Sequence, residues 1–197
     1  MKNYLIILLY ALLFASCEST DTELTSTEAS HFCKKTQDTT PLNPANTFDY
    51  VGQVHYDLSR SYYADSFLLK SSDSIVGQVN LKASAHPFFD GFLFADYNLV
   101  PLSRIDTIVA NSEAEFSSIL ANLPLTTETK NDFSDFVATV LFKVDHDVDY
   151  EAIYNYVVLY ESTLQDSKDI SASEKEYLLS VTSIIRYCVY VTRKLPK

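Results

Sequence analysis

Glycine is scarce, with three residues in 197, and tryptophan is absent. Loops that cradle phosphate need closely spaced glycines, and Gly52, Gly77 and Gly91 stand far apart, which argues against a nucleotide-binding loop. No Gly-x-Ser-x-Gly turn, His-Glu-x-x-His helix or Cys-x-x-Cys pair occurs. The familiar signatures of a serine hydrolase, a zinc protease and a dithiol centre are therefore missing. Positive charge is short as well: 15 Lys and Arg face 26 Asp and Glu, for a formal charge of −11. Nucleic-acid binding needs a basic patch, and anionic lipid headgroups attract Lys and Arg, so neither partner suits this chain. No apolar run reaches the ~20 residues that span a bilayer, and no internal repeat is visible.

What is present at the N-terminus is ordered by chemistry. Lys2 precedes about a dozen mostly apolar residues, and the small pair Ala15-Ser16 follows, ahead of Cys17. Charged, apolar and small-residue regions in that order make an export signal. The placement of Cys17 directly after the small pair resembles a bacterial lipoprotein signal, with Phe14 where the usual motif has Leu and Leu13 one step earlier. That resemblance implies cleavage before Cys17, a diacylglyceryl group on its thiol and acylation of the new amine. Several acyl chains exceed the two signals that stable anchoring requires. Cys17 is thus expected to be an anchor, and loss of residues 1–16 takes away Lys2 and moves the formal charge to −12.

Residues 17–45 read as a linker, Ser/Thr-rich with Pro41 and Pro44 and without apolar periodicity. Such a composition buries too little surface to offset the entropy of ordering. About 30 residues of flexible chain would average roughly 30 Å end to end. Glu18, Asp21 and Glu23 resemble the acidic signal that sends lipoproteins of the Bacteroidota to the outer face of the outer membrane, although polar linkers are also acidic by chance. The expected location is the cell envelope at the outer membrane, with its periplasmic and surface faces both open. Of the two further cysteines, Cys33 lies in the linker and Cys188 on the apolar stripe of the last helix. They either bridge, as an even pair in an oxidising compartment can, or Cys188 stays a small hydrophobe.

Residues 46–197 carry the signals of one mostly α domain, bundle-like, with about five to six helices. Asn46 is the expected cap of a helix with the stripe Phe48, Val51, His55, Leu58 and Tyr62. A second helix is expected from Ser74 to Ala85, ended by His86-Pro87. Ser112-Glu113-Ala114-Glu115 reads as a capping box, as does Ser173-Glu174-Lys175-Glu176. Thr127 or Thr129 opens a helix with Phe133, Phe136, Val137, Val140, Leu141 and Val144 inward, and Asp149 caps the next. The helix from Tyr150 to about Leu164 is apolar nearly all round and so is expected at the centre. The last helix lines up Leu178, Val181, Ile184, Ile185 and Cys188. Residues 71–109 are the least readable.

Few residues suggest chemistry. Asp145-His146-Asp147-Val148-Asp149 alternates oxygen ligands, but a calcium loop wants Gly and Glu where Tyr150 and Tyr156 stand, so an interhelical turn is expected and no metal or other cofactor. His55 reads as a core histidine, and Arg186, bordering the last stripe, as the partner of a carboxylate. Phe88, Phe89, Phe92, Phe94 and Tyr97, in a stretch without helical spacing, are either an irregular core plug or a contact surface.

Both ends of the domain resemble some uncharacterised Bacteroidota proteins. Phe48-Asp49-Tyr50-Val51-Gly52-Gln53-Val54-His55, after Asn43-Pro44, is similar to their Asn-Pro-Tyr-Asp-Tyr-Val-Gly-x-x-His opening. Ser183-Ile184-Ile185-Arg186-Tyr187, with the Ser173-Glu174-Lys175 start, is similar to their last helix. The resemblance implies no activity. The expectation is a non-enzymatic lipoprotein module that meets the membrane through its lipid alone and binds an envelope protein or ligand. An immunity lipoprotein that captures a toxin is one form of it. The alternative is a small envelope hydrolase using His55 or the Asp145–Asp149 cluster.

Overall fold

The computed structural model describes residues 40–64, 71–89 and 102–194. Among these there are seven α-helices and no strand: α1 Asp49–Ala64, α2 Ser72–Ser84, α3 Leu102–Ala110, α4 Ser112–Asn122, α5 Thr127–Asp145, α6 Tyr150–Asp166 and α7 Ala172–Lys194. A 3-10 turn, Pro87–Phe89, follows α2 where His86-Pro87 was expected to stop it. The mostly α reading holds, with one more helix than the sequence suggests. The addition is α3, a nine-residue helix that buries only Ile105 and Ile108, too short a stripe to stand out.

α5 forms as its sequence dictates. The Thr126 hydroxyl accepts from the Thr129 amide at 3.2 Å, satisfying one of the orphan donors at a helix start. Phe133, Phe136, Val137, Val140 and Val144 are buried, and Leu141 is half-buried. α7 starts with a reciprocal capping box, but two residues ahead of the expected one. The Ser171 hydroxyl accepts from the Glu174 amide at 3.3 Å, while Glu174 accepts from the Ser171 amide at 3.0 Å. At α4 the expected box is displaced too. Asn111 takes the cap position without a side-chain bond, Ser112 is buried inside the helix, and Glu115 pairs with Arg104 of α3. Asp149 does precede α6, also without a side-chain cap bond.

The centre of the fold is α7, not α6. Every residue from Leu178 to Val189 is buried, and α7 packs against α1 on one side and α6 on another. α6 buries a single stripe, Tyr150, Ile153, Val157, Glu161 and Leu164, and leaves Leu159 66 % exposed. The sequence misleads here because α7 carries Ser180, Thr182, Ser183 and Arg186, which look like a solvent face but are all buried, Ser183 against Gly52 of α1 and Arg186 against Asp49 and the Pro41 carbonyl. On α1 itself, the half-buried stripe of Val51, His55, Leu58 and Tyr62 flanks a more deeply buried pair, Asp49 and Gly52.

The fold also begins earlier than residue 46. Pro41 and Asn43, assigned by composition to the linker, are buried against the bundle. Asn46 does not sit at the helix boundary, since α1 starts at Asp49. Its Oδ1 still accepts from the Phe48 amide at 2.9 Å, while its amide nitrogen is turned into the protein.

Candidate functional site

Three charged side chains meet inside the bundle. Arg186 is 1 % exposed, Glu161 0 % and Asp49 7 %. They come from α7, α6 and α1, each on a face that packs inward. Arg186 Nη2 donates to Asp49 Oδ1 at 2.6 Å and to Glu161 Oε1 at 3.1 Å, and Nη1 donates to the carbonyl of Pro41. Burial disfavours the guanidinium charge, but Glu161 and Asp49 more than offset it and raise the Arg186 pKa above its ordinary value.

The carboxylate oxygens are all in use. Glu161 Oε1 also accepts from Asn46 Nδ2 at 2.8 Å, and Oε2 accepts from Asn43 Nδ2 at 2.6 Å. Asp49 Oδ1 also accepts from the Asn43 amide at 3.2 Å, and Oδ2 accepts from the Tyr187 hydroxyl at 3.1 Å. Asn46 Nδ2 reaches the Leu179 carbonyl of α7 as well, at 2.9 Å. Each carboxylate so occupied accepts three hydrogen bonds from separate chain segments and fixes them to one another. Among the described residues, Arg186 Nε and the buried Tyr150 hydroxyl have no hydrogen-bond partner. Buried polar atoms of that kind are uncommon, and nothing else in the network accounts for them.

Beside this knot, α1 touches α7 backbone to side chain. A Cβ on Gly52 would lie 2.4 Å from Ser183 Oγ and 2.7 Å from the Ser183 carbonyl carbon, so only glycine fits this crossing. The segments 43–55 and 183–187, far apart in sequence, are therefore one structural unit. Asp49 and Gly52 of the first meet Ser183, Arg186 and Tyr187 of the second.

His55 and Cys188 form a second contact. The sulfur lies 3.8 Å from Nδ1 and 3.9 Å from Nε2. Equal distances to both nitrogens put it off the axis of either lone pair. Burial lowers the His55 pKa to about 4 and raises that of the Cys188 thiol, which is free. A neutral thiol beside a neutral imidazole is not an activated nucleophile. Cys33, one expected bridging partner, and Cys17, the expected lipidation site, lie outside the described residues.

The Asp145–Asp149 stretch is the turn between α5 and α6. Asp145 ends α5, the His146 ring stacks on Phe142 at 3.9 Å, and Asp147, at φ 54°, takes the left-handed conformation that Asp tolerates. Arg193 of α7 pairs with Asp147 at 2.6 Å. Among the described residues no group of three or more His, Cys, Asp or Glu is arranged to hold a metal ion, and no helix is long and apolar enough to cross a membrane.

Of the aromatic stretch, Phe88 and Phe89 are described, whereas Phe92, Phe94 and Tyr97 lie outside the described residues. Phe88 is 41 % exposed; its ring meets Tyr50 of α1 at 5.8 Å and Phe89 edge-on at 5.0 Å. The knot was only partly foreseen, through Arg186. Glu161 could have been found, as a lone charge on the stripe Tyr150, Ile153, Val157, Leu164. Asn43 gave no such signal. Compared with known proteins, the chain matches no family model, no curated protein and no solved structure.

Proposed function

We propose that this protein is a lipid-anchored helical module of the bacterial cell envelope that acts by binding a protein or envelope ligand rather than by catalysis. The observation that carries the reading is the junction Ala15-Ser16-Cys17 behind a short apolar segment led by Lys2. The acidic surplus agrees with a domain held near a membrane by its lipid and kept off it by charge. The aromatic stretch that starts at Phe88 is the proposed contact surface, because loops carried on a rigid scaffold often hold function. A hydrolase built on His55 or on Asp145–Asp149 finds less support. His55 has a neutral thiol as its neighbour, and the acidic run serves a helix-to-helix turn.

Metabolic labelling with palmitate tests the anchor. Label should enter the full-length protein and disappear in Cys17→Ser; undiminished labelling of that variant overturns the lipoprotein reading.

A further inference from the structure

The chain enters the domain along a path bonded at nearly every residue. Arg186 holds the Pro41 carbonyl, and the Tyr154 hydroxyl donates to the Leu42 carbonyl at 2.7 Å. Asn43 donates to Glu161 at 2.6 Å, and Gln165 Nε2 donates to the Ala45 carbonyl at 2.6 Å. Asn46 is fixed to Glu161 and Leu179. These partners have an order. From residue 42 to residue 45 the α6 contacts advance from Tyr154 through Glu161 to Gln165, so the segment runs along α6 in the same direction as the helix.

We propose that residues 41–46 are a mechanical clamp that passes tension arriving from the preceding chain directly into α6 and α7. Tension on residue 40, directed back along the chain, draws the segment parallel to the α6 axis. Bonds in that arrangement are loaded together in shear and must fail together. A segment crossing the helix at right angles would instead peel away one bond at a time. The innermost bonds are charge-assisted and shielded from water, where an ionised partner strengthens a hydrogen bond. α1, whose backbone continues from this segment, is spared until the clamp gives way. Use of the clamp against a membrane tether rests on the lipoprotein reading, whereas the clamp itself needs only a load on the N-terminal side.

Force spectroscopy on the purified, unlipidated chain 17–197 separates the two. One pair of handles pulls through residue 17 and Asp169, exposed in the turn between α6 and α7 at the far end of α6 from residue 40, and a second pair through Glu113, exposed on α4, and Asp169. The double variant Tyr154→Phe with Gln165→Ala removes the two peripheral bonds and leaves the buried charges in place, so it should fold. At constant force, its lifetime should fall about tenfold when pulled through residue 17, the size expected of two modest hydrogen bonds lost from the barrier. Pulled through residue 113, its lifetime should match that of the parent. Equal shortening in both geometries would mean ordinary destabilisation and would overturn the clamp, as would no change in either. Because no lipid is involved, failure here leaves the palmitate result standing, and the reverse also holds.

Discussion

The amide of Gly52 donates to the hydroxyl of Ser183 at 2.7 Å, and that hydroxyl donates in turn to the carbonyl of Asp49 at 3.3 Å. One serine on α7 thereby holds both ends of the first turn of α1. The crossing is close because Gly52 has no side chain, and its effect should show as opposite outcomes at two glycines.

Gly52→Ala should destabilise the protein by about 1–3 kcal/mol or more, since overpacking a filled core forces backbone to move. One of the clashing atoms, the Ser183 carbonyl carbon at 2.7 Å, is itself backbone and cannot swing aside. Gly77→Ala in α2, where a Cβ would meet nothing within 4 Å, should stabilise by about 0.5–1 kcal/mol through helix propensity. Urea unfolding of both variants checks the pair; a Gly52→Ala protein as stable as the parent rules out the close crossing.

Arg186 faces two carboxylates, so the partners in the knot are not equivalent. Arg186→Met leaves Asp49 and Glu161 buried without a cation and should cost about 3–5 kcal/mol. Glu161→Gln keeps an acceptor for Arg186 and leaves a balanced Arg–Asp pair, and should cost less. Guanidinium unfolding midpoints should rank parent, Glu161→Gln, Arg186→Met. The opposite order would mean that the charge balance is wrong.

The overlapping Ser-x-x-Glu frames at the start of α7 give a third prediction. Ser171→Ala removes the hydroxyl that bonds Glu174 and should cost about 1 kcal/mol. Ser173→Ala, exposed and within the first turn, should stay within about 0.5 kcal/mol of the parent. Equal losses at both positions would contradict the observed cap.

Acid should act first through His55. Its folded pKa of about 4 lies below the usual 6.5, so the unfolded state binds the proton more tightly. The stability gained by keeping this imidazole neutral is present above pH 6.5 and is lost as the pH falls toward 4. Between pH 7 and pH 5 the loss should be about 2 kcal/mol. Glu174, whose pKa is lowered by bonds from the Thr126 amide, then the Ser171 hydroxyl and the Ser171 amide, contributes only below 4.5. His55→Leu should therefore flatten the stability profile from pH 7 to pH 5; an unchanged slope in that variant would assign the effect elsewhere.

Local signals located most helices, because caps and 3.6-residue stripes arise within a few neighbouring residues. Phe133 to Val144 is the clear case, on a helix that begins at Thr127, one of its two expected starts. Long-range pairing was what the sequence hid. Leu178 to Val189 contains four buried polar residues, and nothing nearby reveals that Gly52 seats on Ser183 or that Asp49 pairs with Arg186. For the same reason composition placed Asn43 and Pro41 in the linker: their partners, Glu161 and Arg186, stand more than a hundred residues away. α6 misled in the other direction, since its many Tyr and Val residues suggest burial on every side while Leu159 faces solvent.

A chain that emerges N-terminus first presents α1 long before α7 exists. Until Ser183 and Arg186 have appeared, Asp49 has no cation, Gly52 has no seat and the segment at Asn43 has only half of its partners. Contacts of this sequence separation form late and slowly, so closure of the domain becomes a test of completeness. A polypeptide cut short before Arg186, even one that retains α2 to α6 intact, cannot join its two ends and remains open to proteases.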